Sequence, residues 1–171
     1  VPIFDPQVIK KAQQVGQGLP AGPGAASGKI VFSSTKARLE AENGNRVILC
    51  RVETSPDDLK GMLISEGVLT TRGGVSSHAA LVARQLGKVC VCGATDVVIN
   101  YRRKEMVVNG KKLKEGQEIS IDGSTGAIYG EAIPTVDSDV ERVLAGRRKP
   151  ERSTNYQLFQ TVMKWADKYR Q

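Results

Sequence analysis

The chain has 171 residues, 40% hydrophobic and 25% charged, the balance of an ordinary folded protein and not of a disordered one. No apolar run approaches the roughly 20 residues that span a bilayer, and the start VPIFDPQVIKK carries no secretory core. The formal charge of +7 admits phosphates or nucleic acid as partners without requiring them.

Cys50, Cys90 and Cys92 are sparse and odd in number, which argues against a disulfide framework and for a reducing compartment. Together with the one His they match no zinc spacing, so no metal site is expected. The sequence begins without Met and reads as a piece of a longer protein.

Asp5 before Pro6 is an N-cap followed by Pro at the first helical position, predicting a short helix to about Gln14. Residues 16–24, dense in Gly and Pro, read as a hinge. Residues 28–32 read as a strand, and Ser34 as the cap of a helix that runs to Glu42 and stops at Asn43-Gly44. Residues 46–51 are a short apolar run bounded by turn residues, the pattern of a buried strand. Ser55-Pro56-Asp57-Asp58 opens a helix with a cap, a Pro and an acid in the right places, ending near Gly67. A strand follows at 68–70.

After the loop Thr71-Arg-Gly-Gly-Val-Ser-Ser-His78 comes a compact helix with Ala79, Val82 and Leu86 on one face and Gly87 past its end. Residues 89–92 are a strand that puts Cys90 and Cys92 on one face. Short strands follow at 106–108, 118–121 and 127–129, with 122–126 as a turn. Residues 136–144 and 156–170 look helical across a basic, polar connection. The expected organisation is an N-terminal linker helix and hinge (1–18), an α/β domain (19–133) and a C-terminal helical linker (134–171).

His78 is the one His in the chain, and a lone His is often only a surface or core residue. Its setting offers a second reading. A helix start favours an anion, Gly73 and Gly74 let backbone approach a ligand, Ser76 and Ser77 supply hydroxyls, and Arg72 can fork onto a phosphate. An imidazole among phosphate-binding groups is suited to accept a phosphoryl group as a nucleophile. The same groups also suit a module that binds phosphate without covalent chemistry. Residues 22–29 imitate a phosphate loop but fail it, because Pro23 stands at the first Gly position and Ile30 follows the Lys. The basic clusters at 102–104, 111–112 and 147–149 lack interleaved aromatics, and read as solvated turns and a linker more readily than as a nucleic-acid surface.

The stretch Gly67-Val-Leu-Thr-Thr-Arg-Gly-Gly-Val-Ser-Ser-His-Ala-Ala-Leu-Val-Ala-Arg84 resembles the phosphohistidine signature of the phosphoenolpyruvate-utilising enzymes. The likeness extends to residues 19–31, 53–58 and 119–126, and with 165–170 these flanks look like the family's dikinase branch. One departure is Ser76, where the family usually has Thr. The segment 138–155 is also longer than the usual connection.

The resemblance implies an α/β fold, a swivelling β/β/α phosphohistidine domain with helical linker arms. It would lie between an ATP-grasp nucleotide-binding domain and a C-terminal (β/α)8 domain for pyruvate and phosphoenolpyruvate, in a homodimeric full-length protein of the cytoplasm or of an organelle such as a plastid or glycosome. It also implies that His78 carries the phosphoryl group through its Nε2, with Arg72, Gly73, Gly74, Ser76 and Ser77 around it. Mg2+ would be bound outside this chain. The substrates would be ATP, phosphate and pyruvate, and Ser76 would be a candidate regulatory phosphorylation site. Neither nucleic acid nor membrane is expected as a partner, and the chain alone is expected to be inactive.

Overall fold

Apolar runs too short for helices set the architecture. In the structure, a computed structural model that describes residues 1–137, they become strands of one large sheet. The chain begins with β1 (Pro2–Phe4), a single helical turn α1 (Pro6–Ile9), β2 (Gln14–Gln17) and β3 (Leu19–Gly22). Then come β4 (Ala25–Val31), α2 (Ser34–Glu42), β5 (Val47–Arg51), a 3-10 turn (Pro56–Asp58), α3 (Leu59–Ile64), β6 (Gly67–Thr70), α4 (His78–Leu86) and β7 (Val89–Cys92). The meander β8 (Val97–Asn100), β9 (Glu105–Val108) and β10 (Lys111–Lys114) precedes β11 (Glu118–Asp122), β12 (Ala127–Tyr129) and β13 (Thr135–Asp137). Val1–Thr135 forms one compact unit.

The large sheet has eight strands in the order β2-β12-β11-β4-β5-β6-β7-β3. Strands β4 to β7 run parallel, each crossover between them carrying helix, and β11, β12, β2 and β3 add antiparallel pairs. The two edge strands, β2 and β3, are joined by Gly18 alone, so the sheet curls until its edges meet. The Gly18 N–H extends the β2–β12 ladder, donating to the Gly126 carbonyl at 2.8 Å, and the Gly123 N–H extends the β11–β4 ladder, donating to the Gly24 carbonyl at 2.7 Å; at the seam Gly22 of β3 lies directly against Gly123.

The parallel strands bury both faces, as such strands do. Ile48 and Cys50 of β5, with Val89 and Val91 of β7, join a core shared with Val97, Met106, Val108 and Leu113 of the meander. Their neighbours Val47, Leu49, Cys90 and Cys92 pack with Met62 of α3 and Ala80 and Ala83 of α4. Helices thus cover one face and the three-stranded meander the other. Each fully buried Ile or Leu here contributes about 1.5–3 kcal/mol. No helix among the described residues is long and apolar enough to cross a membrane.

The mixed α/β class follows the expectation; several elements differ from it. The first helix stops at Ile9, although Asp5 caps it as expected, its carboxylate accepting from the Gln7 N–H at 2.8 Å. The expected hinge at 16–24 is instead two strands and the crossing between them. Its glycines serve packing: a Cβ on Gly16 would lie 2.7 Å from Val108 Cγ1, and one on Gly18 2.5 Å from Val91 Cγ1. The N-terminal 18 residues therefore include sheet and are not a free arm. Ser33, not Ser34, caps α2, accepting from the Lys36 N–H at 3.0 Å. The helix expected after Ser55 starts as a 3-10 turn and ends by Ile64. Strands β8 and β10 were not anticipated. Residues 136–137 lie in β13 and not in a helix; the remainder of the expected C-terminal helical linker, 138–171, lies outside the described residues.

Candidate active site

The site forms where β5 and β6 end side by side. Their parallel pairing, Arg51 opposite Thr70, brings the segment after β5 against the loop after β6, at the carboxyl ends of strands where α/β sheets commonly bind ligands. Backbone hydrogen bonds lace the two together: Thr71 N–H to the Arg51 carbonyl at 3.2 Å and Arg72 N–H to the Val52 carbonyl at 3.0 Å. The Val52 N–H in turn donates to the Tyr101 hydroxyl oxygen at 2.6 Å, and Tyr101 stacks under the Arg51 guanidinium at 4.6 Å.

The loop reverses at Gly73, whose φ of +95° lies in the region that favours glycine. A Cβ there would also come within 2.8 Å of Ser77 Cβ. Ser77 then caps α4: its N–H donates to the Gly74 carbonyl at 3.0 Å and its hydroxyl accepts from the Ala80 N–H at 3.4 Å. His78 is therefore the first residue of the helix and is exposed.

Thr54 holds the ring. Its Oγ1 lies 3.0 Å from His78 Nδ1, and Thr54 itself is only 7% exposed. In the neutral tautomer whose Nδ1–H donates to Thr54, the lone pair sits at Nε2, across the ring from the buried partner. That is the tautomer a nucleophilic Nε2 requires.

Glu53, Thr54, Arg72, Gly73, Ser77 and His78 line a cleft of about 70 Å³. Pockets that enclose a drug-sized ligand start at about 300 Å³, so this cleft suits a phosphoryl group and leaves a nucleotide outside. A cleft of about 290 Å³ lies at the opposite ends of the strands, between Lys29, Asn45, Arg46, Glu118 and Pro134; neither His nor Cys lines it.

Of the sequence-derived site residues, Arg72, Gly73, Ser77 and His78 come together in the cleft, whereas Gly74 and Ser76 are exposed on the loop and do not line it. Thr54 and Glu53 were not picked out from the sequence as site residues; only the strand pairing joins them to His78. One carboxylate, two hydroxyls and a guanidinium do not make a Mg2+ shell, and no cluster of three His, Cys, Asp or Glu occurs among the described residues. The thiols offer no rival nucleophile. All three are buried and free. Burial holds the Cys50 proton on well above the ordinary thiol range, raises Cys92, and pushes Cys90 up to about 12, the neighbouring Cys92 adding to it.

Residues 44–126 match the family model described as PEP-utilising enzyme, mobile domain, a span that contains every residue of the cleft. The chain is 43% identical over 169 residues to the pyruvate, phosphate dikinase of Clostridium symbiosum, covering 99% of this chain and 18% of that protein. It is 46% identical over 167 residues to that of Giardia intestinalis, with 98% and 17% covered. It is 39% identical over 173 residues to a chloroplastic one from Flaveria pringlei, with 99% and 16% covered. The chain thus spans less than a fifth of the length of these relatives.

Proposed function

From the premise that this chain belongs to the PEP-utilising enzyme family, as its mobile domain, we propose that it is the phosphohistidine carrier domain of a pyruvate, phosphate dikinase. His78 shuttles a phosphoryl group between an ATP and phosphate site and a pyruvate site in other domains of the same protein. The observation that carries this reading is His78 itself: exposed at a helix start, its Nδ1 3.0 Å from a buried threonine hydroxyl, with Arg72 and Ser77 across a cleft of phosphoryl size.

Each step exchanges one bond for another. Nε2 attacks the β-phosphorus of ATP, forming a P–N bond as the P–O bond to AMP breaks. Inorganic phosphate then takes the terminal phosphoryl group as pyrophosphate, and His78 keeps one. Pyruvate, as its enolate, accepts that group to give phosphoenolpyruvate, and the P–N electron pair returns to Nε2. Transfer through a loose transition state depends on positioning and charge balance. The chain supplies both: Thr54 orients the ring, while Arg72 and the first amides of α4 face the incoming negative charge. Mg2+, bound outside the described residues, would neutralise phosphate charge on the nucleotide.

On this reading the carrier serves two sites in separate domains and swings between them. The decisive experiment uses the full-length protein with ATP and phosphate. We expect acid-labile, base-stable phosphate mapped to His78, and none in His78→Asn, which keeps a polar side chain at the helix start. Substantial phosphoenolpyruvate formation by His78→Asn would sink the proposal.

A further inference from the structure

The loop before His78 has a consistent polarity. The Arg72 carbonyl accepts from Thr70 Oγ1 at 2.9 Å, the Gly74 carbonyl from the Ser77 N–H at 3.0 Å, and the Val75 carbonyl from Arg84 Nη2 at 2.6 Å. The N–H groups of Gly73, Gly74, Val75 and Ser76, by contrast, have no partner among the described residues. Three of the loop's carbonyls are tied to the protein, while these four amides are left open.

Arg84 is the one charged side chain among these ties. It projects from α4, six residues past His78, and its other end is anchored: Nη1 donates to the Ala21 carbonyl of β3 at 2.8 Å. The guanidinium therefore bridges the closing strand of the sheet and the loop that precedes His78. Val75 needs such a hold, because its side chain is 51% exposed and does little packing of its own. In a planar trans peptide the C=O and the following N–H point in opposite directions. By fixing the Val75 carbonyl, Arg84 also fixes the Ser76 N–H, which points away from the guanidinium.

We propose that Arg84 is a positioning residue for phosphoryl transfer, holding the Val75–Ser76 peptide so that its N–H, and not its C=O, is presented to the phosphoryl group on His78. This rests on the carrier reading above and adds to it a role for a side chain outside the cleft. A carbonyl turned toward the phosphoryl oxygens would repel them, whereas a pre-set amide lowers the barrier without reorganising. Lys at this position would keep a charge but could not reach two carbonyls with a fixed fork.

The test compares single-turnover phosphorylation of His78 by ATP and phosphate in the full-length wild type, Arg84→Met and Arg84→Lys, together with the KM for ATP and the melting temperature. Removing one oriented donor of this kind lowers a rate by about 100- to 1,000-fold. We expect that loss in Arg84→Met, with KM within about twofold, melting within a few degrees of wild type, and Arg84→Lys in between. Arg84→Met reacting at the wild-type rate overturns the inference alone. So does a rate that falls only as far as the melting temperature predicts for both variants, which is a purely structural role. A wild-type protein that never acquires phosphate on His78 removes the carrier reading and this inference with it.

Discussion

Thr54 Oγ1 sits 3.0 Å from His78 Nδ1, and a hydroxyl there can accept the Nδ1 proton while Nε2 stays unprotonated. Thr54→Val keeps the shape and removes the partner, so the ring loses both its preferred tautomer and its orientation. We expect about a tenfold slower phosphorylation of His78, equivalent to about 1.4 kcal/mol of barrier, with Thr54→Ser close to wild type. Equal rates for Val and wild type would remove Thr54 from the mechanism. Ser76 poses a different question. Its side chain is exposed, lies outside the cleft and has no partner among the described residues. A phosphate or carboxylate there would act through its charge, competing for Arg72 and repelling the incoming phosphoryl group. Ser76→Asp should therefore slow His78 phosphorylation several-fold, and the effect should shrink as salt is raised, because exposed charges are screened beyond about 10 Å at 0.1 M. Ser76→Ala should stay within about twofold. An Asp variant at the wild-type rate in low salt would rule out the proposed regulatory gate.

At the scale of the element, local chemistry made much of the site legible. Arg72, Gly73, Ser77 and His78 are near neighbours in sequence, and the cap, glycine and helix-period signals all fall within one loop and one helix. Thr54 was hidden because it stands 24 residues earlier, joined only through the parallel pairing of β5 and β6. The alternation in Val89–Cys92 was equally readable: Val89 and Val91 enter one core layer and Cys90 and Cys92 the other. That placement has a consequence for stability. Burial raises the pKa of all three thiols, Cys90 to about 12. Below the ordinary thiol pKa of about 8.5 both folded and unfolded chains keep these protons, and the contribution is fully present. Above it the unfolded chain releases them while the folded one does not, so stability falls as pH rises toward the folded values. The urea midpoint of the chain should drop between pH 7.5 and 9.5, and native thiols should not react with a disulfide reagent until denaturant is added. Stoichiometric reaction of the native protein at pH 8 would contradict this packing.

Closure of the sheet belongs to the molecule as a whole, and nothing in residues 16–24 announced it. Gly and Pro signal flexibility and close approach with the same letters, so a stretch that reads as a hinge can equally be a crossing where only glycine fits. Which applies depends on residues about a hundred positions away: Gly123 meets Gly22 across the seam, and Gly126 meets Gly18 where β2 passes into β3. Two glycines with similar backbone separate the two uses. Gly44 has φ +82° and nothing within 4 Å of where its Cβ would go, whereas Gly126 has φ +86° and its Cβ would collide with the Gly18 carbonyl oxygen. Gly44→Ala should therefore cost only the left-handed conformation, about 1–2 kcal/mol. Gly126→Ala carries that cost and also forces the crossing at Gly18 apart, breaking the Gly18 N–H bond to the Gly126 carbonyl. A loss in the exceptional range of about 4 kcal/mol or more is expected, enough to unfold a domain of ordinary stability. Urea midpoints of the two variants measure the difference. Because β3 carries the Ala21 carbonyl that anchors Arg84, a Gly126→Ala protein that stays folded should also lose His78 phosphorylation, while Gly44→Ala retains it. Equal stabilities for the two variants would mean that the chain does not cross at Gly18 as described.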